Sequence, residues 1–303
     1  MEERPPEIRR HRQTSPATRA LAAFGGLILG IGVLAAIAFA VVGRDSGASS
    51  TPASEDTTTG PPPKPVLRIV FPEGFTRVQM ADRITAVNKI AEDKRGITPK
   101  LSAEEYLRVT KSMNPPAGFP KDVPNLEGFL FPATYDFNED TTTRELVLDQ
   151  LEAFDRNWSR IDLKYAKSKN LTPYDVLIIA SMIEKEVQVP KERSLVAAVI
   201  YNRLHLDMPL GIDATIRYGL NIPPTKAILQ SQLDTPSPYN TRCCPGLPPT
   251  PIGNPGLASM QAAAHPAKVD YLYFVRKADC KSHFFTASLR AFNNYPRAGL
   301  DCG

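Results

Sequence analysis

The segment LTPYDVLIIASMIEKEVQV (171–189) decides the fold, and the rest of the chain is best understood outward from it. Thr172 is a favoured N-cap residue, Pro173 suits the first helical position, and Asp175 lies in the first turn. The residues that follow are mostly apolar, which is typical of a helix buried in a protein core. The segment therefore predicts a core helix that ends near its two glutamates.

These two glutamates are the strongest candidates for chemistry. Glu184 and Glu186 point about 200° apart on a helix, so at most one of them can face a given cleft. Glu186 lies over two bulky apolar side chains one turn earlier, whereas Glu184 lies over an alanine and a serine. Desolvation raises a carboxyl pKa, and a general acid must hold its proton near neutral pH. Glu186 is therefore the predicted general acid and Glu184 the alternative; a solvated helix end is the competing interpretation.

The flanking sequence predicts an α+β fold. Periodicity indicates further helices from about Thr76, from Ser102, over 143–169 and over 190–206. Alternating or β-rich stretches indicate strands near 66–72, within 126–137 and at 270–277. Residues 209–266 hold 11 of the 29 prolines, which excludes long helices and central strands there. A long ordered loop of this kind is more often functional than a mere connector.

The N-terminal region predicts a membrane anchor. Residues 20–43 form an uncharged run of 24 residues, long enough at ~1.5 Å per residue to cross a ~30 Å hydrocarbon core. A cleaved signal peptide is the alternative, but its apolar region is normally shorter. The basic tail 1–19 predicts a cytoplasmic N-terminus by the positive-inside rule, with the remainder on the outer face of the cell membrane. Residues 44–65, rich in Pro, Ser and Thr, predict a flexible linker.

Charge and motif content exclude several functions. The formal net charge is +4, but residues 45–303 contain 30 basic and 29 acidic side chains, so no nucleic-acid-binding surface is expected. The chain has no phosphate-binding loop, dinucleotide-binding turn or zinc-binding helix, and its histidines are isolated. Neither a metal nor a cofactor is therefore predicted.

Four cysteines lie on the predicted outer side. An even number in an oxidising compartment favours disulfides over free thiols or a metal site. Cys243 and Cys244 are adjacent and poorly placed to bridge each other. Each is therefore expected to pair with Cys280 or Cys302 and to join the proline-rich loop to the C-terminal segment.

Several motifs together resemble one known family. In order they are LEGFLFPATY, ASMIEKE, VIYNRL followed by MPLGIDATIRYG, SPYNT, GLPPTPIGNPG and AAAHPAKVDYLYFV, within a match over about 66–293. This set resembles the endolytic murein transglycosylases, also called the YceG-like family. The resemblance implies a LysM-like subdomain at 66–124 and a catalytic domain at 125–303.

The implied activity is lytic cleavage of the β-1,4 bond between N-acetylmuramic acid and N-acetylglucosamine, which leaves 1,6-anhydro ends and ends strand elongation. Implied partners are peptidoglycan strands and the peptidoglycan synthases of the elongation and division machinery. The resemblance supports Glu186 as the catalytic residue. It also suggests a group of groove-lining residues: Glu127, Asn202, Asp213, Tyr239 and Asn240. Glu127 could equally be a structural carboxylate that caps a backbone turn.

The chain also departs from the family pattern. Val187 replaces a Thr or small residue, and GIDAT (211–215) replaces a Gln-Ser/Thr-Asp-Pro-Thr motif. Phe292 stands where the family has a His, and a phenyl ring cannot make the hydrogen bonds of an imidazole. The altered C-terminal motif keeps open a non-catalytic wall-binding or scaffold protein of the same fold. A disulfide-stapled extracellular adaptor is a third, separate possibility.

Overall fold

The computed structural model describes residues 64–223 and 225–296 as a mixed α+β fold. The helices are α1 (Arg77–Arg95), α2 (Ala103–Ser112), α3 (Thr143–Trp158), α4 (Lys164–Ser168), α5 (Pro173–Glu186), α6 (Arg193–His205), α7 (Asp213–Gly219), α8 (Gln230–Leu233), α9 (Leu257–Ala264) and α10 (Leu289–Asn294). A 3₁₀ turn at Pro190–Glu192 precedes α6. The strands are β1 (Leu67–Val70), β2 (Thr134–Phe137), β3 (Tyr273–Arg276) and β4 (His283–Thr286).

The predicted core helix is confirmed as α5. The Thr172 hydroxyl accepts the Asp175 N–H at 3.2 Å, and the Asp175 carboxylate accepts the Thr172 N–H at 2.8 Å. This reciprocal capping satisfies two backbone donors that a helix N-terminus leaves unpaired. All residues from Tyr174 to Ile183 are buried. The helix packs against α6 and α9, so its last turn is held from several sides.

Two small antiparallel sheets flank the helices. In the first, Leu67 pairs with Phe137 and Val70 pairs with Thr134, so β1 joins β2 across the domain boundary predicted between 124 and 125. In the second, β3 and β4 form a hairpin in which Arg276 lies opposite His283. Only 134–137 of the predicted 126–137 stretch is a strand, and the stretch predicted at 270–277 is a strand over 273–276.

The helix predicted over 143–169 is two helices. α3 ends at Trp158, whose ring stacks 5.6 Å from Phe154. Residues 159–163 then turn, and the Asp162 carboxylate accepts the Lys164 N–H at 2.9 Å at the start of α4. An aspartate that bonds the backbone two residues ahead favours a turn over a continuous helix. The local hydrogen bond therefore interrupts the periodic pattern.

The proline-rich loop is bound into the fold through one side chain in particular. The Asn254 carboxamide oxygen accepts N–H bonds from Gly128 and Leu130 at 2.8 and 3.0 Å, and its amide nitrogen donates to Phe75 O at 2.9 Å. The Asn254 backbone also exchanges hydrogen bonds with Gly74 and Phe75. Three segments distant in sequence are thus joined at a fully buried residue.

The expected cysteine pairing is wrong for Cys243 and Cys244, which are both free thiols. The Cys243 thiol donates to Asn240 O at 3.2 Å and interacts with the Cys244 thiol, so the pair is directed into its own turn. Burial and the Cys244 thiol together raise the pKa of Cys243 to about 11. Cys280 is disulfide-bonded, and Cys302 lies outside the described residues.

The predicted tail 1–19, span 20–43 and nearly all of the linker 44–65 also lie outside the described residues. Within 64–223 and 225–296, none of the helices combines the length and apolar character needed to cross a membrane. The anchor and the LysM-like subdomain therefore stay predictions.

Candidate active site

The carboxyl group of Glu186 lies at the last residue of α5, where the buried helix reaches a more open region. The residue is half-buried, whereas its neighbours up to Ile183 are fully enclosed. Burial raises the pKa of Glu186 to about 7, in the direction that its apolar surroundings predict. At neutral pH a large fraction of this group therefore holds its proton, as a general acid requires.

Polar and charged groups around Glu186 also change its pKa. The Ala214 N–H, in the first turn of α7, donates to the Glu186 carboxyl group and lowers its pKa. The charges of Arg276 and Arg217 also lower this pKa, whereas the charge of Asp213 raises it. A proline at position 214 would have no N–H to donate, so this contact depends on the residue being other than proline.

Glu184 faces different groups, as the helical spacing predicts. Its Oε2 accepts the Gly256 N–H at 3.0 Å, and its Oε1 lies 3.9 Å from Arg193 Nη2. The side chain is only 7% exposed. A side chain at Gly256 would displace the Glu73 carboxyl group, which packs directly against this glycine. Glu184 thus holds the 253–256 segment against the end of α5.

Glu127 is enclosed by protein donors. It is 3% exposed and accepts the Arg77 N–H at 3.0 and 3.2 Å, the Asn254 amide at 2.8 Å and the Tyr218 hydroxyl at 3.2 Å. Burial raises its pKa to about 7, and the hydrogen bonds from Arg77 and Tyr218 act in the opposite direction. Its contacts are those of a carboxyl group that joins α1, α7 and the proline-rich loop. The predicted role in lining a groove stays a prediction.

Two other predicted site residues bind the backbone. The Asn202 amide donates to Val269 O and Tyr271 O, both at 2.9 Å. The buried Asn240 amide donates to Leu233 O at 2.8 Å and to Thr235 O at 3.0 Å. Both amide groups therefore have protein partners and shape the segments beside the site.

The remaining two predicted residues lie at either end of α7. Asp213 forms a bidentate pair with Arg242, at 2.6 and 3.0 Å, and lies close enough to Glu186 to act on it by charge. Tyr239 packs 5.3 Å from Tyr218 and shares a 2.8 Å hydroxyl contact with Thr250. The structure thus brings Asp213 to Glu186, and Tyr239 to the Tyr218–Glu127 contact.

Sequence reasoning missed Arg276, Ala214, Arg217 and Arg242. Their distance from Glu186 along the chain is 90 residues for Arg276 and 28 for Ala214, and no local pattern reports such a contact. The one available signal for Arg276 is its place near the end of a predicted strand. Among the described residues, no group of three or more His, Cys, Asp or Glu side chains could hold a metal ion.

Fold and site together define a class of protein: an α+β protein in which burial raises the pKa of a carboxyl group at the end of a core helix. A family model described as the YceG-like family matches residues 46–298. The chain belongs to the YceG-like family.

Individual relatives agree with this membership. The chain is 34% identical over 232 residues to an endolytic murein transglycosylase of Bacillus subtilis, covering 75% of this chain and 63% of that protein. It is 35% identical over 237 residues to one of Streptococcus pneumoniae, covering 72% and 42% respectively. The chain thus spans less than two thirds of these curated relatives. A crystal structure of a YceG-like protein from Listeria monocytogenes matches with a TM-score of 0.63 and 32% identity, covering 75% of each chain.

Proposed function

We propose that the protein is a lytic transglycosylase that cleaves the N-acetylmuramic acid–β-1,4–N-acetylglucosamine bond of peptidoglycan strands. The observation that carries the proposal is Glu186, a half-buried carboxyl group whose pKa burial raises to about 7. The names of the relatives, endolytic murein transglycosylases, support the substrate class. The scaffold alternative lacks a comparable supporting observation.

The chemistry needs one carboxyl group. Glu186 donates its proton to the glycosidic oxygen as the C1–O bond breaks, and the bonding electron pair stays on that oxygen. The muramyl C6 hydroxyl oxygen then bonds to C1, and its proton passes to the Glu186 carboxylate. Water is not consumed, and the acid is regenerated. The product strand ends in a 1,6-anhydro sugar.

The charge arrangement agrees with a one-carboxyl mechanism. Asp213 is the described carboxylate whose charge acts on Glu186, and it is held in a bidentate pair with Arg242. A hydrolase with a second catalytic carboxylate needs that group free to act as a nucleophile or a base. Asp213 instead tunes the acid through its charge.

The remaining parts of the chain complete the proposal. Residues 20–43 anchor the protein in the cell membrane with the N-terminus inside, and the linker 44–65 sets the reach of the folded part. A LysM-like subdomain at 66–124 assists in binding the strand. Cleavage close to the membrane would terminate elongation of nascent strands beside the peptidoglycan synthases.

Product analysis tests this proposal. The full chain in detergent is incubated with nascent glycan strands, and the products are identified by mass spectrometry. We expect anhydro ends from the wild type and almost none from Glu186→Gln. Reducing ends would identify a hydrolase, and binding without products would identify a wall-binding scaffold; either result overturns the proposal.

A further inference from the structure

Arg276 is the feature near Glu186 that the mechanism does not use. It is half-buried at the end of β3, and its guanidinium makes no hydrogen bond or close ion pair with any residue in 64–223 or 225–296. A guanidinium offers five donors in a fixed plane and matches a carboxylate well. An arginine in this state has donors available to a ligand.

The fold holds Arg276 in a fixed position. Its partner across the hairpin, His283, is buried and donates its backbone N–H to the Glu192 carboxylate at 3.1 and 3.2 Å. His283 Nδ1 lies 2.8 Å from the same carboxylate. The hairpin is therefore fastened to the 3₁₀ turn at Pro190–Glu192, which is separated by three residues from the end of α5 at Glu186.

A second contact fixes the other end of the strand. Arg203 of α6 donates to Leu272 O at 2.6 Å, and its guanidinium stacks 5.2 Å from the Tyr273 ring centroid. Phe292 packs 5.2 Å from the same ring. Residues two apart on a strand share a face, so Arg276 shares the face of Phe274, which packs on the core. Arg276 is thus directed toward the body of the protein.

The surrounding charges favour an anion. Arg276 and Arg217 both act on Glu186 by charge, and the nearby Asp213 is neutralised by Arg242. Arg217 differs from Arg276 because its guanidinium already donates to Pro223 O and Lys226 O, at 3.0 and 2.7 Å. With Glu186 protonated, Arg276 and Arg217 are the cations that act on its site and Asp213 is paired with Arg242, although residues 45–303 as a whole are nearly neutral.

We propose that Arg276 forms an anion subsite that binds a carboxylate carried by the muramyl residue next to the cleaved bond. The inference rests on the proposed function, since it assumes a peptidoglycan strand in the site. Such a carboxylate comes from one of two sources: the free lactyl group of a peptide-free strand, or the peptide stem of an intact one. Arg276 thereby selects strands that carry an anion at this position.

Binding on an inactive background tests the subsite without turnover. The full chain in detergent, carrying Glu186→Gln, is titrated with peptide-free strands, with the same strands after methyl esterification, and with peptide-bearing strands. We expect the carboxylate-bearing polymers to bind roughly 10-fold or more tighter than the esterified one. A preference for peptide-free strands assigns the lactyl group, and a preference confined to peptide-bearing strands assigns the stem.

Variants of the two arginines complete the test. Adding Arg276→Gln should abolish the preference, and Arg276→Lys, which keeps the charge, should retain part of it. Arg217→Gln is the matched control; because the Arg217 guanidinium is already bonded to Pro223 O and Lys226 O, its loss should reduce the preference far less than Arg276→Gln does. An unchanged preference in both Arg276 variants, or no preference in the parent, overturns the inference. The failure of the wild type to release anhydro ends would instead overturn the proposed function, because the binding comparison does not depend on it.

Discussion

Glu186 and Glu127 are two carboxyl groups whose pKa burial raises to about 7, yet their surroundings differ in kind. Glu186 is half-buried and accepts one backbone hydrogen bond, and the charges that act on it are two arginines and one aspartate. Glu127 is fully enclosed and accepts bonds from Arg77, Asn254 and Tyr218. A raised pKa therefore does not by itself mark a catalytic acid. The two groups differ in exposure and in the number of protein hydrogen bonds, and under the proposed function these two differences separate the proton donor from the structural carboxyl group.

The helix α7 connects the two groups. Its Ala214 N–H donates to Glu186, and its Tyr218 hydroxyl donates to Glu127 about one helical turn later. Displacement of α7 would therefore disturb both environments, whereas a substitution at one carboxyl group should mainly affect that group. The variants below separate the catalytic role from the structural one.

The largest effect is expected for Glu186→Gln. The amide cannot supply the proton, and general acid–base catalysis typically contributes ~10²–10⁴-fold. Activity should fall by at least this factor, as measured by release of anhydro products, while the urea midpoint of unfolding stays near that of the wild type. Glu184→Gln is the companion variant; if it alone abolished activity, the acid would be Glu184.

The helix that carries Glu186 could be predicted from sequence because its signals are local. The cap formed by Thr172, Pro173 and Asp175 and the apolar run define α5 within a few residues. The apolar neighbours of Glu186 predicted the direction of its pKa shift. These features depend on residues at most four positions apart.

The rest of the site depends on tertiary packing. Arg276 reaches the region of Glu186 because contacts such as the His283–Glu192 pair fasten its hairpin to the body of the protein. Asn254 meets Gly128 across 126 residues. The prediction of the cysteine pairing was wrong for the same reason, because adjacency along the chain does not determine the direction in which a thiol points.

A large loss of stability is expected for Glu127→Ala. This change leaves the donors of Arg77, Asn254 and Tyr218 without an acceptor in the interior, which typically costs about 2 to 4 kcal/mol for such a group. Urea denaturation measures the loss. A variant as stable as the wild type but inactive would instead support the predicted groove-lining role of Glu127.

The pH dependence of stability should report on Glu127, whereas the pH dependence of activity should report on Glu186. Its folded pKa of about 7 lies above the ordinary value of 4.5, so the folded state binds this proton more tightly than the unfolded state. The resulting contribution to stability is complete below about pH 4.5 and is lost as pH rises through 7. We expect Glu127→Gln to flatten this part of the stability–pH curve. An unaltered curve would contradict the raised pKa.

Activity should fall as pH rises through about 7, because Glu186 must be protonated to act as the acid. Above that value the rate should drop about tenfold per pH unit, as measured by initial rates on glycan strands. Glu127→Gln should leave this fall of activity at the same pH if the variant remains folded. If the fall shifted in Glu127→Gln but not in a Glu186 variant, the roles of the two carboxyl groups would be reversed.

The smallest effect is expected for Ala214→Pro, which removes the backbone donor to Glu186 without adding a charge. The hydrogen bond favours the carboxylate, so its loss should raise the pKa of Glu186 and shift the fall of activity to higher pH. A single hydrogen bond to a charged group limits the displacement to about one pH unit. Ala214→Gly keeps the N–H and should leave the pH of this fall unchanged. If both variants shifted the pH of the fall in activity equally, the shift would come from a displacement of α7. The Ala214 N–H would then not be a feature that sets Glu186 apart from Glu127.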